Sequence, residues 1–154
     1  MLTSLRYFAR CWANSQPADR QTQLRQQEGI RTRLARLAEK LPSSILPDSG
    51  LSNLIENIPL LFSQGYPQVL THGDFLVTNI LVDKNEFEIT GIVDWSLATV
   101  MPFGMDLDIL FLTTGFMTRD GWHDYACKLL LQDIFWQEFW VVSGIEGEEN
   151  RGRI

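Results

Sequence analysis

Cysteine is scarce in this chain and long apolar runs are missing from it. Cys11 and Cys127 are too few and too far apart for a disulfide framework or a zinc site, so two reduced thiols and a cytoplasmic location are the expectation. The most hydrophobic stretch, toward the C-terminus, is broken by Lys128, Gln132, Asp133, Gln137 and Glu138, which leaves no segment of membrane-spanning length. An excess of positive charge is missing too. The 13 basic and 19 acidic residues give a net charge of -6, which argues against a general nucleic-acid binder, because phosphate backbones demand a basic face. No acid precedes Asp19, whereas Arg6 and Arg10 are present, a composition shared with mitochondrial presequences. Leu5, Phe8, Ala9 and Trp12 also make an ordinary amphipathic helical face, and that is the reading adopted. The chain shows no internal repeats.

The 154 residues suffice for one domain, which at this size removes roughly 68–70% of the unfolded chain's surface from water. Residues 18–41 give the clearest helical pattern, with Leu24, Ile30, Leu34, Leu37 and Leu41 near one face and Arg31, Arg33, Arg36 and Glu39 on the other. Gly29 weakens the case for one unbroken helix, and Pro42 ends it. Residues 43–50 read as a linker, and Leu51, Leu54, Ile55 and Ile58 as a shorter helix that Pro59 should stop or kink. Gly65-Tyr66-Pro67 is a turn, and residues 68–71 are a short strand.

Beyond residue 94 the pattern turns helical again. Residues 95–104 read as a loop, and Asp106 is placed to cap the helix begun by Leu107, Ile109, Leu110 and Phe111. Residues 113–121 read as a connection. Residues 123–142 read as a long helix, apolar almost all round through Tyr125, Leu129, Leu130, Ile134, Phe135, Phe139 and Val142, and such a helix is usually well buried. Trp12, Trp122, Trp136 and Trp140 fall in helical patterns where core packing explains them, and His123 reads as a helix-start residue. One domain over residues 1–143 and a frayed, solvated tail over 144–154 complete the expected layout.

The chemistry concentrates between these regions, in Thr71-His72-Gly73-Asp74-Phe75-Leu76-Val77-Thr78-Asn79-Ile80-Leu81-Val82-Asp83 and then Gly91-Ile92-Val93-Asp94-Trp95. The apolar run 80–82 meets the turn formers Asp83-Lys84-Asn85-Glu86, and residues 87–93 alternate roughly with β-branched residues, which predicts a hairpin. A hairpin returns the chain to its starting end, so Asn79 at its beginning and Asp94 past its exit should lie close together, with Asp74 on the loop leading in. Carboxylate and amide oxygens converging this way suit Mg²⁺, which takes one or two protein carboxylates plus phosphate oxygens and water. Each residue also has a plainer reading: Asp74 as a loop tie to backbone amides, Asn79 as a turn residue, Asp94 as a strand-exit cap and His72 as a hydrogen-bonded scaffold. A metal-dependent hydrolase built on His72 and Asp74 lacks a third ligand nearby.

Asn79 stands five residues after Asp74, and Asp94 follows the hairpin, the spacing that protein kinases use for catalytic Asp, Asn and metal-binding Asp. With His-Gly-Asp, four residues, Asn and a later Asp-Trp, the stretch from Tyr66-Pro67 to Pro102-Phe103-Gly104 resembles the aminoglycoside phosphotransferase and choline kinase branch of the kinase-like fold, its fungal members in particular. The resemblance implies an α+β, mainly helical fold: the kinase-like C-terminal lobe with a small β-hairpin. It implies transfer of the γ-phosphate of ATP or GTP, with Mg²⁺, to a small-molecule hydroxyl, with Asp74 as base, Asn79 and Asp94 as metal ligands and His72 as loop scaffold. The expected partners are a nucleotide and a small-molecule acceptor, with neither nucleic acid nor membrane. Two departures stand out. Ser96-Leu97 follows Asp94-Trp95 where many relatives carry an acid, and Asp106 only partly matches the family's second Asp after Gly-Asp-Pro. The phosphate-covering loop and strand lysine of such enzymes have no counterpart ahead of Asp74, where Lys40 is the sole lysine and Gly29, Gly50 and Gly65 are scattered. The N-terminal β lobe is therefore expected to be absent from these residues, with weak phosphotransfer or a non-catalytic, interaction-type role as the two consequences.

Overall fold

The computed structural model describes residues 2–40, 48–86 and 88–147. Three helices come first: α1 (Leu2–Ala13), α2 (Arg20–Lys40) and α3 (Asp48–Leu61). Of the face expected for α1, Phe8 and Ala9 lie in the core and Trp12 is half-buried against it. Asp19 starts α2 by accepting the Thr22 N–H at 2.8 Å, and that bond holds its carboxyl below the ordinary value. α2 runs unbroken through Gly29, but none of its residues is buried, and Leu24 and Leu37 are exposed. Leu41, Pro42 and residues 43–47 lie outside the described residues. Residues 48–50, expected in the linker, open α3 instead. Pro59 is accommodated inside that helix, which ends two residues later, as expected where a ring blocks the preceding turn and an N–H is lost.

Six short strands follow, β1 (Gln68–Thr71), β2 (Ile80–Val82), β3 (Ile89–Ile92), β4 (Thr99–Pro102), β5 (Gly115–Thr118) and β6 (Gly121–Asp124), interrupted by α4 (Asp108–Leu112) and followed by α5 (Lys128–Ser143). They form three separate two-stranded antiparallel sheets, β1–β4, β2–β3 and β5–β6. The β2–β3 hairpin stands where the turn signal put it, and its turn is tied by the Asp83 carboxylate, which accepts the N–H groups of Asn85 and Glu86.

Three expectations need correction. Residues 99–102 are a strand and not part of a loop: Gln68 faces Pro102 and Thr71 faces Thr99. Pro102 is tolerated because it ends a two-stranded ribbon, where a missing N–H breaks no continuing ladder. Residues 115–124 form the β5–β6 hairpin, where a connection and a helix start were expected. Gly115 permits it, because a side chain there would come within 2.6 Å of the Trp122 ring, which also stacks on Phe111 at 4.7 Å. His123 accordingly sits in β6 with its ring 2.9 Å from the Thr118 hydroxyl, and the last helix begins at Lys128. Third, α5 is covered on one side only. It packs along α1 through buried Phe135 and Phe139, while Leu129, Leu130 and Val141 are exposed.

The core is aromatic and lies between α1, α5 and the strand layer: Phe8, Ala9, Val69, Phe75, Phe103, Ile109, Phe135 and Phe139. Phe8 meets Phe75 and Phe135 edge-on, and Trp12 meets Phe103 at 5.0 Å. Phe75 therefore anchors the loop after β1 to the two long core helices. Ile145, beyond α5, also packs against this core, and residues 148–154 of the expected tail lie outside the described residues.

Candidate functional site

The loop leaving β1 is fastened at every step. The Thr71 hydroxyl donates to the Thr99 carbonyl at 2.8 Å, closing the end of the β1–β4 ribbon. His72 is fully buried. Its Nε2 lies 2.8 Å from the Val93 carbonyl oxygen, and its Nδ1 accepts the Asp74 N–H at 3.3 Å, so the tautomer with its proton on Nε2 satisfies both. The backbone N–H groups of His72 and Gly73 both donate to the buried Asp106 carboxylate, at 2.6 and 3.1 Å. Gly73 has φ +81, and a Cβ there would lie 2.7 Å from the Leu97 carbonyl oxygen, so only glycine fits.

Asp74 is half-buried. Its backbone carbonyl accepts the Leu76 N–H and the Asn79 side-chain Nδ2 at 2.9 Å. That second bond fixes the Asn79 amide with its Oδ1 as the free end. Asn79 ends a single 3₁₀ turn, and its carbonyl accepts the Val93 N–H at 2.9 Å, so the hairpin's two ends are joined beside Asp94. Asp94 is exposed and has φ 63, the one positive value among the described non-glycine residues. A residue held in this left-handed region stores strain that the surrounding contacts must offset. Ser96 donates its hydroxyl to Asp94 Oδ1 at 2.9 Å. Hydrogen bonds thus link His72, Asp74, Asn79 and the strand end at Val93-Asp94 into one cluster.

An aromatic bed supports it. The Tyr7 ring stacks on Phe75 at 5.2 Å and meets Trp95 edge-on, and Trp95 lies 4.8 Å from His72. Burial, followed by the neighbouring Cys11, pushes the Tyr7 hydroxyl far above its ordinary value, and burial raises the Cys11 thiol as well.

Three acceptor groups remain without a hydrogen-bond partner among the described residues: the Asp74 carboxylate, Asn79 Oδ1 and one Asp94 oxygen. None of Asp74, Asp94 and Asp106 is in an ion pair among those residues either. No three His, Cys, Asp or Glu side chains there converge as a closed metal cage. A site with few protein ligands and uncommitted carboxylate and amide oxygens fits Mg²⁺, which keeps water and phosphate oxygens in its shell.

Sequence reasoning missed the backbone contacts of Asp106, for which it offered a helix cap and a partial match to the family's second Asp, and it missed Tyr7. Asp106 was expected to cap α4, yet the helix has Leu107 at that position without a side-chain cap, and the carboxylate is spent on the His72-Gly73 backbone. Its signal, shared with Asp108, was an acid without basic neighbours in an otherwise apolar run from residue 100 to 112. Tyr7 carried no local signal, since its partners lie far along the chain.

Comparison with known proteins agrees with the motif. The profile of the phosphotransferase enzyme family APH matches residues 3–138, and the chain belongs to that family. Its members generally use ATP and Mg²⁺ for phosphotransfer. A curated protein named "Probable acyl-CoA dehydrogenase IBR3", from Arabidopsis thaliana, is 40% identical over 47 residues, covering 30% of this chain and 6% of that protein. So short a share carries no dehydrogenase activity across. No solved structure matches the chain. Among the described residues no helix is long and apolar enough to cross a membrane.

Proposed function

We propose that the loop and hairpin form the phosphoryl-transfer site of a kinase-like helical lobe, which moves the γ-phosphate of ATP or GTP to the hydroxyl of a small molecule. One observation carries this reading: three oxygen groups at one end of the β2–β3 hairpin are left uncommitted while the backbone around them is tied down. Phosphoryl transfer asks a protein mainly for positioning and charge neutralisation, which such an arrangement serves.

Asn79 Oδ1 and Asp94 would hold Mg²⁺, which when bound neutralises charge on the phosphate oxygens. The Asp74 carboxylate takes the proton of the acceptor hydroxyl as that oxygen bonds to the γ-phosphorus. The bond from phosphorus to the bridging oxygen breaks, and its electron pair leaves with the nucleoside diphosphate. His72 acts as scaffold, holding the Asp74 N–H and the Val93 carbonyl in fixed relation.

One observation favours a second, non-catalytic reading. Lys40, the sole lysine ahead of Asp74, sits in the last turn of exposed α2, and Gly29 and Gly50 lie within helices, so these residues offer no phosphate-covering loop and no lysine to clamp the phosphates. Weak nucleotide binding and negligible turnover by these 154 residues are therefore expected. Calorimetric titration with ATP and GTP, with and without Mg²⁺, tests the site. Mg²⁺-dependent binding that Asp94→Asn weakens supports the transfer reading; no Mg²⁺-dependent binding, or binding indifferent to Asp94→Asn, gives first place to the non-catalytic one. In any form of the protein that turns over, Asp74→Asn should cost about 10²–10⁴ in rate, the contribution of a positioned general base.

A further inference from the structure

A half-open pocket of about 450 Å³ lies under the β2–β3 hairpin, with exposed Val77, Val82 and Thr113 at its mouth, and neither Asp74, Asn79 nor Asp94 lines it. Its walls come from Phe75 and Ile80 of the motif segment, Ile89 of β3, Ile109 of α4, and Leu131 and Phe135 of α5. The size falls within the range of about 300–1,000 Å³ typical of small-molecule sites. No charged side chain lines it.

The polar groups on the wall narrow the ligand further. The Thr113 hydroxyl is committed to the Ile109 carbonyl at 2.8 Å and the Thr114 hydroxyl to the Phe111 carbonyl at 3.0 Å. That leaves the half-buried Gln132, whose amide has no hydrogen-bond partner among the described residues. At its inner end, against buried Phe8, Phe75, Ile109 and Phe135, water finds none of the about two to four polar partners that it needs. Left empty, the lining forfeits dispersion contacts on one side. A charged ligand would lose hydration and meet no counter-charge.

We propose that this cavity binds a small neutral amphiphile: an aliphatic or aromatic body with one uncharged oxygen group, hydrogen-bonded to the Gln132 amide. Because buried Phe75 is both a wall of the cavity and the residue after Asp74, an occupant packs against the underside of the motif loop and steadies it. The site does not depend on the phosphotransfer reading, and its test needs no nucleotide.

The test is calorimetric titration and thermal denaturation with 1-octanol, with octanoate as the charged counterpart of equal length. Octanol should bind saturably and raise Tm, while octanoate near neutral pH binds at least about tenfold more weakly. Gln132→Leu should weaken octanol about two- to tenfold, the worth of one neutral hydrogen bond. Leu131→Trp and Val82→Trp, which fill the cavity from α5 and from the hairpin, should each abolish the Tm shift. Val141→Trp, on the exposed side of α5, should leave it intact. Absence of saturable octanol binding by the unaltered chain overturns the proposal. So does a Tm shift that survives both filling variants, or octanoate binding as well as octanol.

Discussion

Replacing Asp106 by Ala removes the acceptor of two backbone N–H groups, those of His72 and Gly73, at a buried position. The buried His72 N–H left unsatisfied costs about 1–3 kcal/mol, and the Gly73 N–H, on an exposed residue, turns in part to water, so the expected loss is about 2–4 kcal/mol out of the roughly 5–15 kcal/mol that holds a domain folded. With a urea m-value of about 2 kcal/mol per M, a loss of about 4 kcal/mol lowers the unfolding midpoint by roughly 2 M. Asp106→Asn should fall between, since one carbonyl oxygen still accepts while its NH₂ faces a backbone donor. The assay is urea denaturation followed by far-UV circular dichroism, with Asp108→Ala, on exposed ground one residue into α4, as control. An Asp106→Ala midpoint within about 0.3 M of the unaltered chain would refute the reasoning, because it would mean that the loop finds other acceptors or does not need them.

Further outcomes follow from the same geometry. Gly73→Ala should destabilise by about 1–3 kcal/mol, combining the left-handed backbone with a Cβ 2.7 Å from the Leu97 carbonyl oxygen, and a denaturation midpoint equal to that of the parent would count against it. Asp94→Gly should relieve left-handed strain and raise stability by up to about 1 kcal/mol while weakening Mg²⁺-nucleotide binding; a drop in Tm together with unchanged binding would contradict both parts. Tyr7 and Cys11 have folded pKa values raised chiefly by burial, so the unfolded chain ionises first on the alkaline side. Their contribution is complete below the ordinary thiol and phenol values of 9.0 and 10.0 and is lost as pH rises past them toward the folded values. Urea midpoints near pH 8 and near pH 10.5 should differ, and Tyr7→Phe should shrink the difference.

The elements legible in the sequence were those whose signal is local. The β2–β3 hairpin announced itself through Asp83-Lys84-Asn85-Glu86 between two apolar runs, and α1 through the spacing of Phe8, Ala9 and Trp12. β4 was hidden because Pro102 reads as a loop former and the partner strand lies some thirty residues upstream. β5 and β6 were hidden because Gly115 and Gly121 weaken a strand pattern, while the reason for Gly115 is the Trp122 ring lying against it. Of the site, the spacing of His72, Asp74, Asn79 and Asp94 could be read directly, and the hairpin logic brought the last two together. The role of Asp106 could not, because a carboxylate three residues before apolar Ile109 looks like a helix cap until its distant partners are known.

The β1–β4 ribbon joins Gln68 to Pro102, so the loop, the hairpin and the Asp94 turn all enter and leave through one narrow seam. Residues 68–102 are therefore a cassette with adjacent ends, locked from outside by Asp106 reaching into its first turn. Its register is set by two short edges, while its underside shares one core with α1 and α5 through Val69 and Phe75, so those two helices travel with it and the exposed α2 and the β5–β6 hairpin are the parts free to change.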